Sequence, residues 1–391
     1  MKQFKTIYTT ITLSLLTLIG TPTAAQPADS LATDSIEVTL VTCSPHEEIY
    51  SLYGHSALRY HDLRTGEDAV FNWGIFNFKK PHFVTRFVFG LTDYELGVGD
   101  FGPFCNYYRR WGSSVTEQVL DLTPQEKLKL RAALAENLRP ENRVYRYNYF
   151  YDNCSTRPRD IIERCLNGRV LYDDRQDYTP SFREMIHQCG DHHAWAMFGN
   201  DMLLGLKADL KTSRTEQEFL PQNLLYDFDH ARIHASDGSY RPLVKERRIA
   251  VMPGVQAREA DFPLTPLQCA LGLLALSLLI AALEWKRHKT FKFWDAVLML
   301  LTGLAGCVLF IMLFSQHPCT TLNLQLLLLN PLPLCFIYSV VRGRPTRWWH
   351  IQAVLIGLFL LGALVQDYAE GMEILALCLL IRSMIHIKYA K

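Results

Sequence analysis

The sequence has almost no net charge, because its 40 lysines and arginines are balanced by 39 aspartates and glutamates. Without a basic excess, the composition does not favour a nucleic-acid-binding protein. The chain also lacks a C-x-x-C pair and an H-E-x-x-H motif, so it offers no convincing metal site. A G-x-S-x-G elbow, a phosphate-binding loop, internal repeats and low-complexity tracts are missing as well. We therefore expect neither a metal nor another cofactor.

Charged residues become scarce after Asp261, where apolar stretches dominate. This change in composition predicts a soluble domain joined to a membrane domain. Each of five apolar stretches has close to the roughly 20 residues that a helix needs to cross a bilayer. We place these transmembrane helices at residues 264–284, 293–315, 323–341, 348–366 and 371–387. Asn330-Pro331 and Pro333 are expected to kink the third helix.

The loops between these helices predict which side of the membrane they face. Loops 284–292 and 342–348 are rich in lysine and arginine, whereas "SQHPCTTLN" and "QDYAEGME" contain none. By the positive-inside rule, the basic loops are cytoplasmic and the preceding domain lies outside the inner membrane. Residues 1–25 agree, because a positive start, an apolar core and small residues before a cleavage site are typical of a signal peptide. An uncleaved anchor helix is the alternative.

The predicted organisation has four parts. A signal peptide at 1–25 and a mobile lead at 26–35 precede an extracytoplasmic catalytic domain at 36–262, and a five-helix transmembrane domain occupies 263–391. Within the exported domain, residues 36–42, 56–62 and 68–76 have the composition and alternation of strands. "TPQEKLKLRAALAENLRP" begins with a capping box and is typical of a helix. This mixture predicts an α+β domain.

Of the ten cysteines, five lie in the exported domain. An odd number in an oxidising compartment can leave one thiol free. If two disulfides join the other four, three pairings are open among Cys43, Cys105, Cys165 and Cys189.

The stretch "YRYNYFYDNCSTRPRDIIERC" changes its period in the middle. The first part predicts a strand with four rings on one face, those of Tyr145, Tyr147, Tyr149 and Tyr151, and the second part predicts a helix. Cys154 lies at the junction, with the helix cap near residues 153–155. A thiolate at a helix N-terminus is stabilised by unpaired N–H groups, which can also hold an oxyanion. Cys154 is thus a candidate nucleophile, and a structural or disulfide-bonded cysteine is the alternative.

His55 is the candidate base for this thiol, because it enters a strand directly after a glycine. Asn72, on the next strand, is a candidate to orient the imidazole as the third member of a Cys–His–X set. An ordinary half-buried histidine and a turn asparagine are the alternatives. Cys43 is a rival nucleophile after the first strand, but it precedes His55 by only twelve residues.

Four further residues complete the candidate site as substrate-binding groups. Tyr149 and Tyr151 lie close to Cys154 in sequence, and Arg157 lies one turn into the predicted helix, where it can bind a phosphate or carboxylate. His317, in the outer loop "SQHPCTTLN", is a candidate to bind a lipid headgroup. The alternatives are cleft-wall tyrosines, an ion-paired arginine and a loop-capping histidine.

Five segments resemble a known family. "TCSPHEEIYSLYGHSALR", "FNWGIFNF", "YFYDNCSTRPRDII" and "FLPQNLLYDFD" resemble the exported domain of Lnb-type lipoprotein N-acyltransferases. "FSQHPCTTLNLQLLLLNPLP" resembles that family's five-helix membrane domain. The resemblance implies a circularly permuted papain/NlpC-like thiol enzyme, similar to the lecithin–retinol acyltransferase group, in which a strand histidine precedes a helix cysteine. The resemblance favours Cys154 over Cys43 as the nucleophile. At the position of Asn72, relatives of the wider group often have histidine.

The resemblance also implies a reaction and its partners. A fatty acyl chain from a phospholipid or from the lipoprotein's own diacylglyceryl group passes through a cysteine thioester to the α-amino group of the lipidated N-terminal cysteine of a lipoprotein. The alternatives are a thiol hydrolase acting on cell-wall peptide or lipid, and a non-catalytic membrane receptor or assembly factor in which Cys154 is structural.

Overall fold

The structure is a computed structural model that describes residue 33 and residues 35–76, 81–173, 179–190, 192–256 and 262–389. The predicted signal peptide and most of the predicted lead at 26–35 lie outside these residues. A mixed part with strands and helices is followed, from Pro266 onward, by apolar helices alone. The predicted α+β domain followed by an all-α region is therefore confirmed.

Among the described residues of the N-terminal part, ten strands form two antiparallel sheets. The strands are β1 Ile36–Cys43, β2 His55–Asp62, β3 Glu67–Ile75, β4 Asp93–Asp100, β5 Val115–Leu120, β6 Val144–Arg146, β7 Gly168–Leu171, β8 Arg232–Ala235, β9 Tyr240–Pro242 and β10 Val244–Val251. The central sheet has the order β10-β5-β1-β2-β3-β4-β6, and the small sheet has the order β7-β8-β9. The three strands predicted between residues 36 and 76 are confirmed as β1, β2 and β3.

Nine α-helices accompany these sheets in the described part of the chain. They are α1 Phe83–Val88, α2 Phe101–Arg110, α3 Pro124–Asn137, α4 Pro140–Arg143, α5 Thr156–Cys165, α6 Phe182–Cys189, α7 Ala194–Leu203, α8 Arg214–Gln217 and α9 Pro221–His230, with 3-10 turns at Ile49–Ser51 and Leu206–Asp209. Helix α3 has the predicted capping box, in which the Thr123 hydroxyl accepts from the Glu126 N–H and the Glu126 carboxylate accepts from the Thr123 N–H.

The central sheet is covered on both faces. On one face, Leu58 and Trp73 are buried against α3, α5 and α9. On the other face, Ala57 and Val70 are buried against α2. Since alternate residues of a strand point to the same face, His55 on β2 and Asn72 on β3 belong to the α2 face.

The stretch around Cys154 differs from the prediction. The strand β6 ends at Arg146, and residues 147–155 form turns before α5 begins at Thr156. Two backbone hydrogen bonds between Asn148 and Asp152 close this turn. The prediction of a four-tyrosine strand face is therefore wrong, because the chain reverses direction where the alternating pattern would continue.

Five helical segments occupy the predicted transmembrane positions. They are α10 Pro266–Arg287, α11 Lys292–Met312, the 3-10 turn Leu324–Leu327 with α12 Leu332–Val341, α13 Trp348–Gly362 and α14 Met372–Tyr389. By length and composition, Pro266–Arg287, Lys292–Met312 and Leu324–Val341 are sufficient to cross a membrane, and α13 is apolar but shorter. The expected interruption of the third segment is present, because regular helix stops after Leu327 and resumes at Leu332.

Hydrogen bonds tie the membrane helices to the N-terminal part. The fully buried Gln325 side chain donates to the Asp201 carbonyl at 2.7 Å and accepts from the Ala369 N–H at 3.0 Å. Gln366 accepts from the Leu324 N–H at 2.8 Å and donates to the Leu204 carbonyl at 3.3 Å. These bonds hold the end of α7 against the outer ends of the membrane helices.

Candidate active site

Cys154 lies in the turn directly before α5, with Ser155 as the cap residue. The preceding residue, Asn153, organises this turn. Its Oδ1 accepts from the N–H groups of Ser155 at 2.8 Å and Thr156 at 3.0 Å. The predicted cap position near residues 153–155 is confirmed, and the thiol is placed at the positive end of the helix.

The Asn153 side chain also fixes two segments around the thiol. Its Nδ2 donates to the carbonyl oxygens of Tyr149 and Phe219, each at 2.9 Å. Asn153 is 4 % exposed, so the polar atoms of its side chain are satisfied inside the protein. One buried amide thus joins the helix start, the preceding turn and the loop before α9.

His55 and Asn72 form a hydrogen bond of 2.7 Å between Nε2 and Oδ1. Because an amide oxygen only accepts, Nε2 of the neutral imidazole carries the proton and Nδ1 is left as an acceptor toward the Cys154 thiol. Gly54 makes the entry into β2 possible, since its φ is +74° and a Cβ there would lie 2.7 Å from the Cys43 carbonyl oxygen.

The Cys154 thiol and the His55 imidazole stabilise each other's charge. Burial by itself raises the pKa of the Cys154 thiol, but the charge of His55, its hydrogen bond, and hydrogen bonds from the Ser56 backbone and the Ser155 side chain together lower it below 9.0. Burial by itself lowers the pKa of His55, but the Cys154 charge and hydrogen bonds with Cys154 and Asn72 raise it above 6.5. The net directions favour a thiolate–imidazolium pair.

The N–H groups at the start of α5 were expected to hold an oxyanion, but Asn153 binds two of them. The N–H groups of Ser155 and Thr156 already donate to its Oδ1, so neither is available to a reaction intermediate. The helix still contributes the positive end of its dipole. A hydrogen-bond donor for an oxyanion must therefore be another group, such as the backbone N–H of Cys154 or a polar side chain that lines the cavity.

A cavity of about 450 Å³ contains the thiol, the imidazole and the Asn72 amide. Its size lies within the range of roughly 300–1,000 Å³ that is typical of ligand pockets. Most of the other lining residues are aromatic, aliphatic or glycine. They include Val70, Gly97, Gly99, Phe104, Tyr107, Tyr108 and Tyr147.

The rival thiol, Cys43, is 1 % exposed. Burial raises the pKa of Cys43 well above 9.0, although a hydrogen bond with Tyr108 opposes this effect. Cys43 is thus a poorer nucleophile than Cys154 in this fold. All ten cysteines lie among the described residues and carry free thiols, so the structure contains none of the possible pairings of Cys43, Cys105, Cys165 and Cys189.

The structure separates the four predicted substrate-binding residues. Tyr149 lines the cavity, whereas Tyr151 packs edge-on against Phe182 in a neighbouring cluster. Arg157 is held by a bidentate ion pair with Asp152, at 2.5 and 2.7 Å, and lies over the Tyr145 ring. Of the four, only Tyr149 is brought to the thiol together with His55 and Asn72.

His317 lies where the outer loop contacts the N-terminal part. Its Nε2 and the Phe87 carbonyl oxygen are 2.5 Å apart, and its ring packs edge-on against the Phe87 ring. The side chain does not line the cavity with Cys154. In this position His317 connects the loop to α1 rather than completing the candidate site.

Several site residues were missed by reasoning from the sequence. Ser56 directly follows the candidate base, and its hydroxyl lies 3.1 Å from the Ser155 hydroxyl. Gly97 and Gly99 open the cavity from β4. Asn153 lies in the predicted cap region, but its bonds to two N–H groups at the start of α5 and to two carbonyl oxygens outside this helix were not predicted.

Two family models match the chain. The model of the Lnb N-terminal periplasmic domain matches residues 23–187, which include His55, Asn72 and Cys154. The model of the Lnb transmembrane domain matches residues 257–391. No curated protein and no solved structure gives a significant match. Among the described residues, no group of three or more histidine, cysteine, aspartate or glutamate side chains is placed to hold a metal ion.

Proposed function

This chain belongs to the Lnb family, and we propose that it moves a fatty acyl group, through a thioester on Cys154, to the α-amino group of the lipidated N-terminal cysteine of lipoproteins. The chain is a membrane protein with a periplasmic N-terminal domain and a transmembrane domain. We place it in the inner membrane as a multi-pass protein whose catalytic domain faces outward, in agreement with its basic loops.

The observation that supports this reaction most directly is the arrangement around one cavity. The Asn72 amide lies 2.7 Å from the His55 imidazole, and the thiol that this imidazole helps to ionise lies at the start of α5. A nucleophile, a base and an orienting group in this order are the parts of a thiol acyl-transfer site.

The first half of the reaction loads the enzyme. His55 holds the proton of the Cys154 thiol, and the thiolate sulfur attacks the carbonyl carbon of an acyl ester. The S–C bond forms, the ester C–O bond breaks, and the imidazolium returns its proton to the departing alcohol oxygen. A thioester and a neutral His55 remain.

The second half transfers the acyl group. The neutral amine of the lipoprotein attacks the thioester carbonyl carbon, the N–C bond forms, and the C–S bond breaks. His55 accepts the proton that the amine loses, which restores the imidazolium–thiolate pair. Because the acceptor is an amine, the apolar walls of the cavity serve to limit competing hydrolysis by water.

We assign stabilisation of the oxyanion to the hydroxyl of Tyr147. This residue lines the cavity with Cys154, and its ring stacks on Tyr94 with 4.2 Å between the centroids. Burial is the largest cause that raises the pKa of Tyr147, and the Cys154 charge is the second, so the phenol stays protonated at neutral pH. A phenol that stays protonated can donate to a developing oxyanion.

The test is mass spectrometry of lipoprotein N-terminal peptides from cells that carry wild type, Cys154→Ser or Cys43→Ala. We expect the N-terminal amide to disappear with Cys154→Ser and to persist with Cys43→Ala. Loss of the amide only with Cys43→Ala would move the nucleophile to that residue.

The same experiment separates the two other functions. Release of free fatty acid by wild type without formation of an amide would indicate a hydrolase. Lipoproteins that are identical in all three strains, with folded protein in each, would favour a receptor in which Cys154 is structural.

A further inference from the structure

One part of the cavity extends away from the thiol along the strands β3 and β4. Gly97 pairs with Asn72 beside the candidate base, and Gly99 pairs with Val70. Two residues along a strand span about 7 Å, so the Val70–Gly99 pair lies that much farther from His55. The cavity includes all four residues and is therefore elongated along the sheet.

Two glycines lie on the same face of β4, and the space beside them differs. A Cβ on Gly97 would lie 2.0 Å from Ile75 Cδ1, so the space beside Gly97 is already occupied by an aliphatic side chain. A Cβ on Gly99 would have no atom within 4 Å. Because Gly99 also lines the cavity, the open space beside it belongs to the cavity.

Helix α2 covers this extension from the opposite side. Pro103, Phe104, Tyr107 and Tyr108 all line the cavity from this helix. The sheet side adds Val70, which is 1 % exposed, and Asp100, an exposed residue at the end of β4 where the extension meets solvent. An elongated space between an aliphatic strand surface and aromatic rings matches a hydrocarbon chain better than a peptide, whose backbone groups would need hydrogen-bond partners.

We infer that this extension binds the acyl chain of the Cys154 thioester and that Gly99 is a specificity-determining residue that allows long chains to enter. The inference rests on the proposed acyl transfer. The carbonyl carbon lies at the sulfur, and the chain runs past Asn72 and the Ile75 side chain toward Gly99 and Phe104. A side chain at Gly99 occupies the space that the distal methylene groups need.

The experiment replaces Gly99 in the full-length membrane protein by alanine, valine and leucine. Gly99 does not have a positive φ, so these side chains impose no backbone strain of that kind. Gly102→Leu is the matched control, because Gly102 is exposed on α2, lies outside the cavity and has no atom within 4 Å of an added Cβ. Mass spectrometry of lipoprotein N-terminal peptides then gives the distribution of amide-linked chain lengths.

We expect the ratio of long to short amide-linked chains to fall progressively from Gly99→Ala to Gly99→Leu, by about tenfold at leucine. Gly102→Leu should retain the wild-type distribution. An unchanged distribution in the Gly99 series, with the amide still formed, would overturn the inference and leave the acyltransferase function intact. An equal loss of amides of every chain length along the series would also overturn the inference, because the extension would then hold a group other than the acyl chain.

A wild-type strain without any N-terminal amide would instead contradict the proposed function itself. Intact-protein mass spectrometry of the trapped thioester on Cys154 provides a second measurement. The mass of the bound acyl group should decrease in Gly99→Leu and stay unchanged in Gly102→Leu.

Discussion

At the level of single residues, His55 lowers the pKa of Cys154 and Cys154 raises the pKa of His55. Each charge makes the ionisation of its partner more favourable, and together with the surrounding hydrogen bonds these effects outweigh the burial that opposes both charges. The thiolate form is populated above the lowered pKa of Cys154, and the imidazolium form is populated below the raised pKa of His55. Both shifts therefore move the equilibrium from the neutral thiol and imidazole toward the ion pair.

This pair predicts a pH profile for alkylation of the thiols by iodoacetamide. Modification of Cys154 should rise with pH with a midpoint below pH 9.0, the ordinary value for the thiol. In His55→Ala the midpoint should move upward, because burial remains and the compensating charge is lost. Peptide mass spectrometry at each pH measures both profiles.

Buried cysteines in the same protein are the internal comparison. Burial raises the pKa of Cys105 to about 11 and that of Cys43 well above 9.0, so both should remain unmodified when Cys154 has reacted. A Cys154 profile that is the same with and without His55 would contradict the assignment of the base.

The Tyr147 hydroxyl is predicted to act in the transition state. Tyr147→Phe should lower kcat by about 10²–10³-fold with a small change in KM, as for other lost oxyanion donors. The ring that stacks on Tyr94 is retained, so the fold should be unchanged.

Tyr94→Phe is the matched control for this change. Tyr94 also lines the cavity, but burial alone raises its pKa to about 12, without a contribution from Cys154. We expect near wild-type acyl transfer from this variant. Equal losses in both variants would mean that Tyr147 acts through packing alone.

At the level of secondary structure, the start of α5 depends on a single buried amide. Asn153 satisfies two N–H groups at the helix start and two carbonyl oxygens outside it. These four bonds hold the thiol-bearing turn against the loop before α9. The reactivity of Cys154 is therefore a property of the joined elements rather than of the helix alone.

Asn153→Ala is expected to lower the free energy of unfolding by about 1–3 kcal/mol, because four buried groups lose their partner. It should also slow alkylation of Cys154, since the turn is no longer fixed. Thermal unfolding in detergent and the alkylation rate measure the two effects.

Thr123→Ala provides the comparison at another helix. It removes the cap of α3, away from the site, at a cost of about 1 kcal/mol. Alkylation of Cys154 should stay at the wild-type rate in this variant. If both variants slow the reaction in proportion to their loss of stability, Asn153 has no special positioning role.

At the level of the whole molecule, the buried Gln325 and Gln366 amides join the two parts of the chain. Their bonds to the Asp201 and Leu204 carbonyl oxygens hold the periplasmic domain to the membrane helices. A fixed orientation matters for a donor that stays in the bilayer, because the cavity must face it.

Gln325→Leu should reduce acyl transfer from a bilayer-embedded lipid by about tenfold or more, because misplacement of a reacting group costs rate steeply. Alkylation of Cys154 by a water-soluble reagent should be unchanged, since the thiol site itself is intact. Arg146→Gln is the control, as it removes the exposed 3.2 Å contact with Gln316 and the 2.8 Å ion pair with Asp93 but leaves the two buried amides in place. A parallel loss of alkylation in Gln325→Leu would show damage to the site instead.

Much of this architecture follows from local patterns. The apolar stretches after Asp261, the capping box at Thr123 and the alternation of β1 to β3 each depend on neighbouring residues, and each is present where it was predicted. Cys154 before a helix and His55 at the start of a strand were likewise visible as local features. A pairing between them was suggested mainly by the resemblance to a known family.

Only the tertiary structure decided how these features meet. The turn at Asn148 and Asp152 ended the expected tyrosine strand, and Asp152 took Arg157 away from the cavity. Asn153 occupied the N–H groups that the helix start was expected to offer, and Gly99 opened a space that no sequence pattern marks. Local periodicity reports which residues are buried or helical. Which buried groups become partners depends on contacts between distant segments, and these form only when the sheet and its helices pack together.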